Sequence, residues 1–178
     1  PSTPYDAKGL LHSAVEDGNP VLFVENRNLY ATKGPVPEEA YTIPFGEAEI
    51  KREGKDVTVV ATSRMVHCSL KAAEMLAPDG IDCEVIDPRT LVPLDEETIV
   101  ESVKKTGRLV TVDEGYQRAG VGSEILAVVM RQMSSLKAPA LNIASPNAPV
   151  PSSPFLEDLY MITEKKVAQQ IREVMGKA

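Results

Sequence analysis

The chain has 178 residues, enough for one ordinary domain, or for one domain with part of another. Hydrophobic residues make up 43% and charged residues 25%, which is the balance of a folded globular protein and excludes a disordered one. A formal charge of -7 argues against general nucleic-acid binding, which needs Lys and Arg for phosphates; it suits a solvated acidic surface or a basic partner.

The first predicted element is a helix. Thr3 is a good N-cap, Pro4 suits the first helical position and Asp6 favours the positive helix end. Ala7, Leu10, Leu11, Ala14 and Val15 then recur at helical spacing, and Gly18-Asn19-Pro20 stops the run. Val21-Leu22-Phe23-Val24 reads as a buried strand. Residues 31–46 carry Gly34, Pro35, Pro37, Pro44 and Gly46 and read as an extended connection.

A new pattern begins near Glu47. Strands are expected at Val57–Ala61, Cys83–Asp87, Leu109–Asp113 and, more briefly, Leu141–Ile143. Between them lie a helix capped by Ser63 and a helix capped by Asp95 that ends in Lys104, Lys105 and Gly107. A further helix runs from Gly120 to about Met133, and a terminal one from Thr163 to Met175. The strands are continuous apolar runs rather than alternating ones, as expected when both faces are covered. Strands alternating with helices in this way imply an α/β fold with a parallel, doubly wound sheet. With aromatics at only 4% and no Trp, its core must be built from Val, Ile, Leu and Ala.

Functional groups of such sheets gather beyond the carboxyl ends of the strands. Three loops qualify: Thr62-Ser63-Arg64, Asp87-Pro88-Arg89-Thr90 and Asp113-Glu114-Gly115-Tyr116. An arginine at such a place can fork to a carboxylate and pin neighbouring loops, which is the favoured reading of Arg89; binding an anionic ligand is the alternative. Gly120-Val121-Gly122 opens a helix but lacks the third glycine of a dinucleotide loop, so its glycines are read as letting the helix lie close to the sheet. His12 and His67 have no evident nucleophile partner, and Cys68 and Cys83 read as small buried hydrophobes. Two such thiols and no CxxC pair suggest a reducing compartment. No run approaches the ~20 apolar residues of a membrane span. The residues taken alone give a fold without a complete catalytic set.

Several segments, in order, resemble the beta subunit of the thiamine-diphosphate-dependent component of 2-oxo acid dehydrogenases, pyruvate dehydrogenase above all. They include Asp6-Ala7-Lys8-Gly9-Leu10, Phe23-Val24-Glu25-Asn26, Ile43-Pro44-Phe45-Gly46 and Asp56-Val57-Thr58-Val59-Val60. The strongest is Glu84-Val85-Ile86-Asp87-Pro88-Arg89-Thr90-Leu91-Val92-Pro93-Leu94-Asp95, followed by Thr106-Gly107-Arg108-Leu109-Val110 and Gly120-Val121-Gly122-Ser123-Glu124-Ile125. The sequence departs from the family pattern at Pro88, where Leu is usual, and at Ala144–Pro149, which replaces a Thr-Gly-x-Asp stretch. The Glu114-Gly115-Tyr116 stretch is closer to pyruvate members; branched-chain and acetoin members are the alternatives.

The resemblance implies a transketolase C-terminal-type domain over residues 47–178, a linker over 31–46, and a helix-strand tail of a pyrimidine-binding domain over 1–30. It implies thiamine diphosphate and Mg2+ in the complete enzyme, with none expected on this chain. The family's activating glutamate and active-site histidine are expected in sequence before Pro1, so this part alone is expected to be inactive. Expected partners are an alpha subunit, a second beta subunit and the basic subunit-binding domain of the acyltransferase core, with neither nucleic acid nor membrane. Asp87, Arg89 and Glu114 are the structural or partner-binding candidates, and Glu157 and Asp158 mark the region where docking is expected. The expected location is the mitochondrial matrix or the bacterial cytoplasm. A stand-alone binding module and another thiamine enzyme of the transketolase family are the other readings. Apolar surface around Val21–Val24, left uncovered, would favour self-association.

Overall fold

The computed structural model describes residues 1–177. Five strands form one sheet in the order β1-β3-β2-β4-β5. They are β1 (Glu49–Arg52), β2 (Val57–Ala61), β3 (Cys83–Asp87), β4 (Leu109–Tyr116) and β5 (Leu141–Ser145). The strands β3, β2, β4 and β5 run parallel, with Val59 opposite both Val85 and Val110 and with Val112 opposite Ile143. Strand β1 runs antiparallel along β3 and was not expected from the sequence. Its residues, Glu-Ile-Lys-Arg, have no apolar periodicity, and such charge is what protects an edge strand from further pairing.

Helices α2 (Arg64–Leu76) and α6 (Glu164–Val174) cover one face, and α3 (Glu96–Thr106) and α4 (Val121–Gln132) the other. The strand pleat divides the core accordingly. Val57, Val59, Val85, Val110 and Val112 pack with Met65, Leu76, Val167 and Ile171, while Val60, Ile86 and Leu109 pack with Ile99, Val103, Ile125 and Val129. This is the doubly wound sheet that the apolar runs predicted. Two expected caps agree: Thr3 accepts from Asp6 N at 3.1 Å at the start of α1 (Pro4–Glu16), and Asp95 from Thr98 N at 3.0 Å; Thr163, expected only as the start of α6, also caps it by accepting from Lys166 N at 3.3 Å. The expected closeness of Gly122 to the sheet is also found, since a Cβ there would come within 2.3 Å of Asn142 Oδ1 and 2.7 Å of Thr111 Oγ1.

Two expectations are corrected, and one further element was not expected. Val21–Val24 is not a strand: the sheet ends at β1 and β5, neither pairs with this segment, and Leu22 is 90% exposed. Ser63 precedes α2 but makes no side-chain cap bond; its backbone stands at φ 50°, a cost of about 1–3 kcal/mol for a non-glycine residue. A short exposed helix, α5 (Pro154–Tyr160), occupies a Pro- and Ser-rich stretch that showed no helical period.

A buried polar layer lies between α3 and strands β2 and β3. Thr58 Oγ1 lies 2.7 Å from Ser102 Oγ and 2.8 Å from Thr106 Oγ1, and the fully buried Glu84 accepts from Lys105 Nζ and from Gly54 N at 3.2 Å. Burial pushes the Glu84 carboxyl up, but Lys105, Ser102 and the Gly54 N–H outweigh it and hold it below the usual carboxylate range. A carboxylate depressed on folding adds stability above its unfolded pKa, and this is lost as pH falls through the folded value. Lys105→Met is therefore expected to cost about 2 kcal/mol at pH 7, below the full penalty for unpairing a buried ion because the lysine is half-exposed. In denaturant titrations at several pH values, the gap from wild type should close under acid; a gap unchanged at low pH would rule out this origin.

Candidate functional site

The carboxyl edge of the sheet carries the groups singled out in the sequence, in two separate constellations. The first lies beyond β3. Asp87, nearly fully buried, accepts from the Ser2 hydroxyl at 2.5 Å and from Arg89 N at 2.9 Å. Arg89 has a left-handed backbone, φ 56°, which turns its side chain back under the connection: Nε donates to Glu47 O at 2.9 Å. Its Nη1 lies 3.7 Å from Asp6 Oδ1 and 3.6 Å from Glu49 Oε2. Lys51 of β1 adds a second cation, 3.1 Å from Asp6 Oδ2 and 2.6 Å from Glu49 Oε2. Burial pushes the Asp87 carboxyl above the usual range, against the pull of Ser2, the Arg89 N–H and Lys51. For Lys51, burial pulls down, but Glu49 and Asp6 together raise it and keep it charged.

The second constellation lies where the strand order reverses, between β2 and β4. Thr62 Oγ1 donates to Asp113 Oδ1 at 2.5 Å and Arg64 Nε donates to Glu114 Oε1 at 2.9 Å. Asn26, from the extended segment after α1, donates to Glu114 Oε2 at 2.6 Å. Ser145 Oγ donates to the Glu114 carbonyl at 2.8 Å, so the ends of β4 and β5 are tied as well. These bonds hold the positive-φ turn at Ser63, since both of its neighbours are anchored to β4.

The structure thus places Asp87 and Arg89 together, with Glu114 in the other group. Glu157 and Asp158 stand apart on α5, exposed, beside the exposed Phe155, Leu156 and Leu159. Sequence reasoning missed Asp6, Lys51, Glu49 and Asn26 as partners. Asp6 carried only a helix-end signal, and nothing in the spacing links it to Lys51, 45 residues away. His67 Nε2 lies 2.7 Å from Ser2 O, and His12 Nδ1 lies 2.9 Å from Tyr41 O; both rings bind backbone. Burial pushes the Cys68 thiol up to about 11 and the Cys83 thiol up to about 12, so neither is a thiolate near neutral pH.

Chemically, both constellations join segments. The strand-end carboxylates named here are bonded to cations, hydroxyls or amides of the chain itself. Among the described residues no group of three or more His, Cys, Asp or Glu side chains could hold a metal ion, and no helix is long and apolar enough to cross a membrane.

Comparison with known proteins agrees with this architecture. Residues 46–167 match the transketolase C-terminal domain family. The beta subunit of acetoin:2,6-dichlorophenolindophenol oxidoreductase from Cupriavidus necator is 51% identical over 98% of the chain and 52% of its own length. The beta subunit of the pyruvate dehydrogenase E1 component from Bacillus subtilis is 46% identical over 98% of the chain and 54% of its own. The chain spans about half the length of the curated relatives it matches. A structure described as a split gene transketolase, inactive beta4 tetramer, superposes with a TM-score of 0.65 at 30% identity, covering 76% of this chain and 44% of that one.

Proposed function

The chain belongs to the transketolase C-terminal domain family, and from that membership we propose that it forms the C-terminal half of the beta subunit of a thiamine-diphosphate-dependent dehydrogenase. The observation that carries the proposal is identity of 46–51% to such beta subunits across 98% of the chain. The complete enzyme would transfer the acyl group of its substrate to a lipoyl carrier. The sequence motif at Glu114-Gly115-Tyr116 favours pyruvate as substrate, whereas the higher identity to the acetoin enzyme favours acetoin, and we give acetoin the greater weight.

The residues present do not fit a diphosphate–magnesium site, because the carboxylates at the strand ends are bonded within the chain and no metal-holding group stands among the described residues. Cofactor and metal are accordingly assigned to the rest of the complete enzyme, and the role of this half is assembly with the alpha subunit and a second beta subunit. Exposed Phe155, Leu156 and Leu159 on α5, with Glu157 and Asp158 between them, support docking of a small basic domain, since apolar burial gives affinity and opposite charge steers encounter. The bacterial relatives support a bacterial cytoplasm over a mitochondrial matrix.

The test uses the assembled enzyme with two readouts. Binding to an acyltransferase subunit-binding domain should saturate, weaken about tenfold or more between about 0.05 M and about 0.3 M salt, and be lost in Glu157→Lys with Asp158→Lys. Turnover should show a higher kcat/KM with acetoin than with pyruvate or 2-oxoisovalerate. Salt-independent binding, or an unaffected double variant, would overturn the docking surface; preference for pyruvate would overturn the substrate assignment.

A further inference from the structure

The Glu84 carboxylate has more accepting capacity than the fold uses. Its Oε2 accepts from Lys105 Nζ and from Gly54 N at 3.2 Å, but its Oε1 is buried with no hydrogen-bond partner among the described residues. Ser102 has a single proton to share between this carboxylate and Thr58 Oγ1, 2.7 Å away. A carboxylate oxygen closed from water and lacking a donor is destabilising, and a donor from outside the chain would relieve that penalty.

Glu84 lines a groove of about 410 Å³ between α3 and the edge strand β1, within the size range of small-molecule clefts. The charge of the groove is one-sided. Glu84, Glu97 and Glu101 bring three carboxylates and Lys105 one ammonium, a net charge of -2. Glu97 and Glu101 stand four residues apart on α3, so their side chains share one face and repel. Lys104 meets Glu101 at 2.6 Å, but both are at least half-exposed and such a pair is weak. Lys105 is committed to Glu84 and, at 3.4 Å, to Glu53. The rest of the lining is the half-exposed Ile50 of β1 and the hydroxyl residues Thr98 and Ser102.

That lining selects its ligand. A metal ion does not fit, since no three His, Cys, Asp or Glu side chains among the described residues are grouped to hold one. An amino acid would bring its own carboxylate against Glu97 and Glu101. Two ammonium groups on an aliphatic stem match all three features. One meets the buried Glu84, the other meets the exposed Glu97 and Glu101, and the methylenes lie on Ile50.

We propose that this groove binds a small aliphatic diamine, with Glu84 Oε1 as the inner acceptor and Glu97 and Glu101 as the outer ones. Lys105 keeps Glu84 Oε2, and its half-exposed side chain shifts aside to admit the first ammonium. Every lining residue lies between Ile50 and Lys105, within the matched domain, so the site draws on neither α1 nor any segment before it. It is also independent of the substrate assignment.

Calorimetric titration of the assembled enzyme with the four-carbon diamine putrescine tests it, with butylamine and magnesium chloride as comparisons. One putrescine per copy of this chain should bind in the millimolar range or tighter, about tenfold or more tighter than butylamine, and more weakly as salt rises from about 0.05 M to about 0.3 M. Glu97→Gln with Glu101→Gln, at exposed positions that leave the fold intact, should lower affinity about tenfold or more, and Glu84→Gln at least as much. No saturation by about 10 mM, equal affinity for butylamine, or an unaffected Glu97 and Glu101 double variant would overturn the site. Magnesium that saturates the groove and blocks putrescine would reassign it to an inorganic cation and overturn it as well.

Discussion

Ile86→Ala should lower the unfolding free energy by about 4 kcal/mol, toward the upper end of what truncation of a buried aliphatic residue costs. Ile86 is fully buried in β3, a strand with neighbours on both sides. Its side chain packs in the cluster of Val60, Ile99, Val100 and Val103, between sheet and α3. The backbone around it is fixed by pairing with Val60 on one side and Ile50 on the other, so the site cannot collapse to refill the space. The cavity term therefore adds almost fully to the lost transfer energy. Ile86→Val removes one methylene and should cost about 1 kcal/mol. Urea unfolding of the two variants measures both; a cost below about 2 kcal/mol for alanine would mean that α3 settles onto the sheet, and would weaken the assignment of Ile86 to a rigid layer.

Gly54→Ala should cost about 3 kcal/mol, although alanine is the smallest change available. Gly54 lies in the turn between β1 and β2, and a Cβ there would stand 2.2 Å from the Cys83 carbonyl carbon and 2.3 Å from Glu84 N. Both atoms belong to the backbone of β3, which cannot rotate aside as a side chain would. The turn must lift away, and the Gly54 N–H to Glu84 bond goes with it. That bond is one of the interactions that keep Glu84 charged under burial, so the variant should also unfold at a higher pH in acid than wild type. Thermal melts at neutral and acid pH test both parts, with Gly34→Ala as a comparison at a glycine where an added Cβ would meet only Pro4, at 3.5 Å and beyond. Equal melting temperatures for Gly54→Ala and wild type would mean that the turn has room the backbone contact denies.

The candidate site was only half legible in the sequence. Arg89 and Asp87 stood out because they are charged residues in a loop beyond the carboxyl end of a strand, where functional groups of a parallel sheet gather, and Glu114 for the same reason. Their partners did not. Ser2 lies 85 residues from Asp87, and Asn26 lies 88 from Glu114. A residue such as Asp6 gives the same local signal, an acid in the first helical turn, whether it faces water or a buried arginine. Glu84 was read only as part of a strand, because its burial depends on α3 and on the Gly54 turn packing over it.

By itself the sequence determined the alternation of strands and helices, the parallel character of the sheet and the family. Apolar runs, helical spacing, and caps such as Thr3 and Asp95 act over a few residues, so they can be read where they stand. Tertiary structure alone decided that Glu49–Arg52 joins as an antiparallel edge and that α1 is bound to the domain through ions. Each of these turns on whether a distant segment supplies a hydrogen-bonding edge or an opposite charge, and no local pattern encodes that choice.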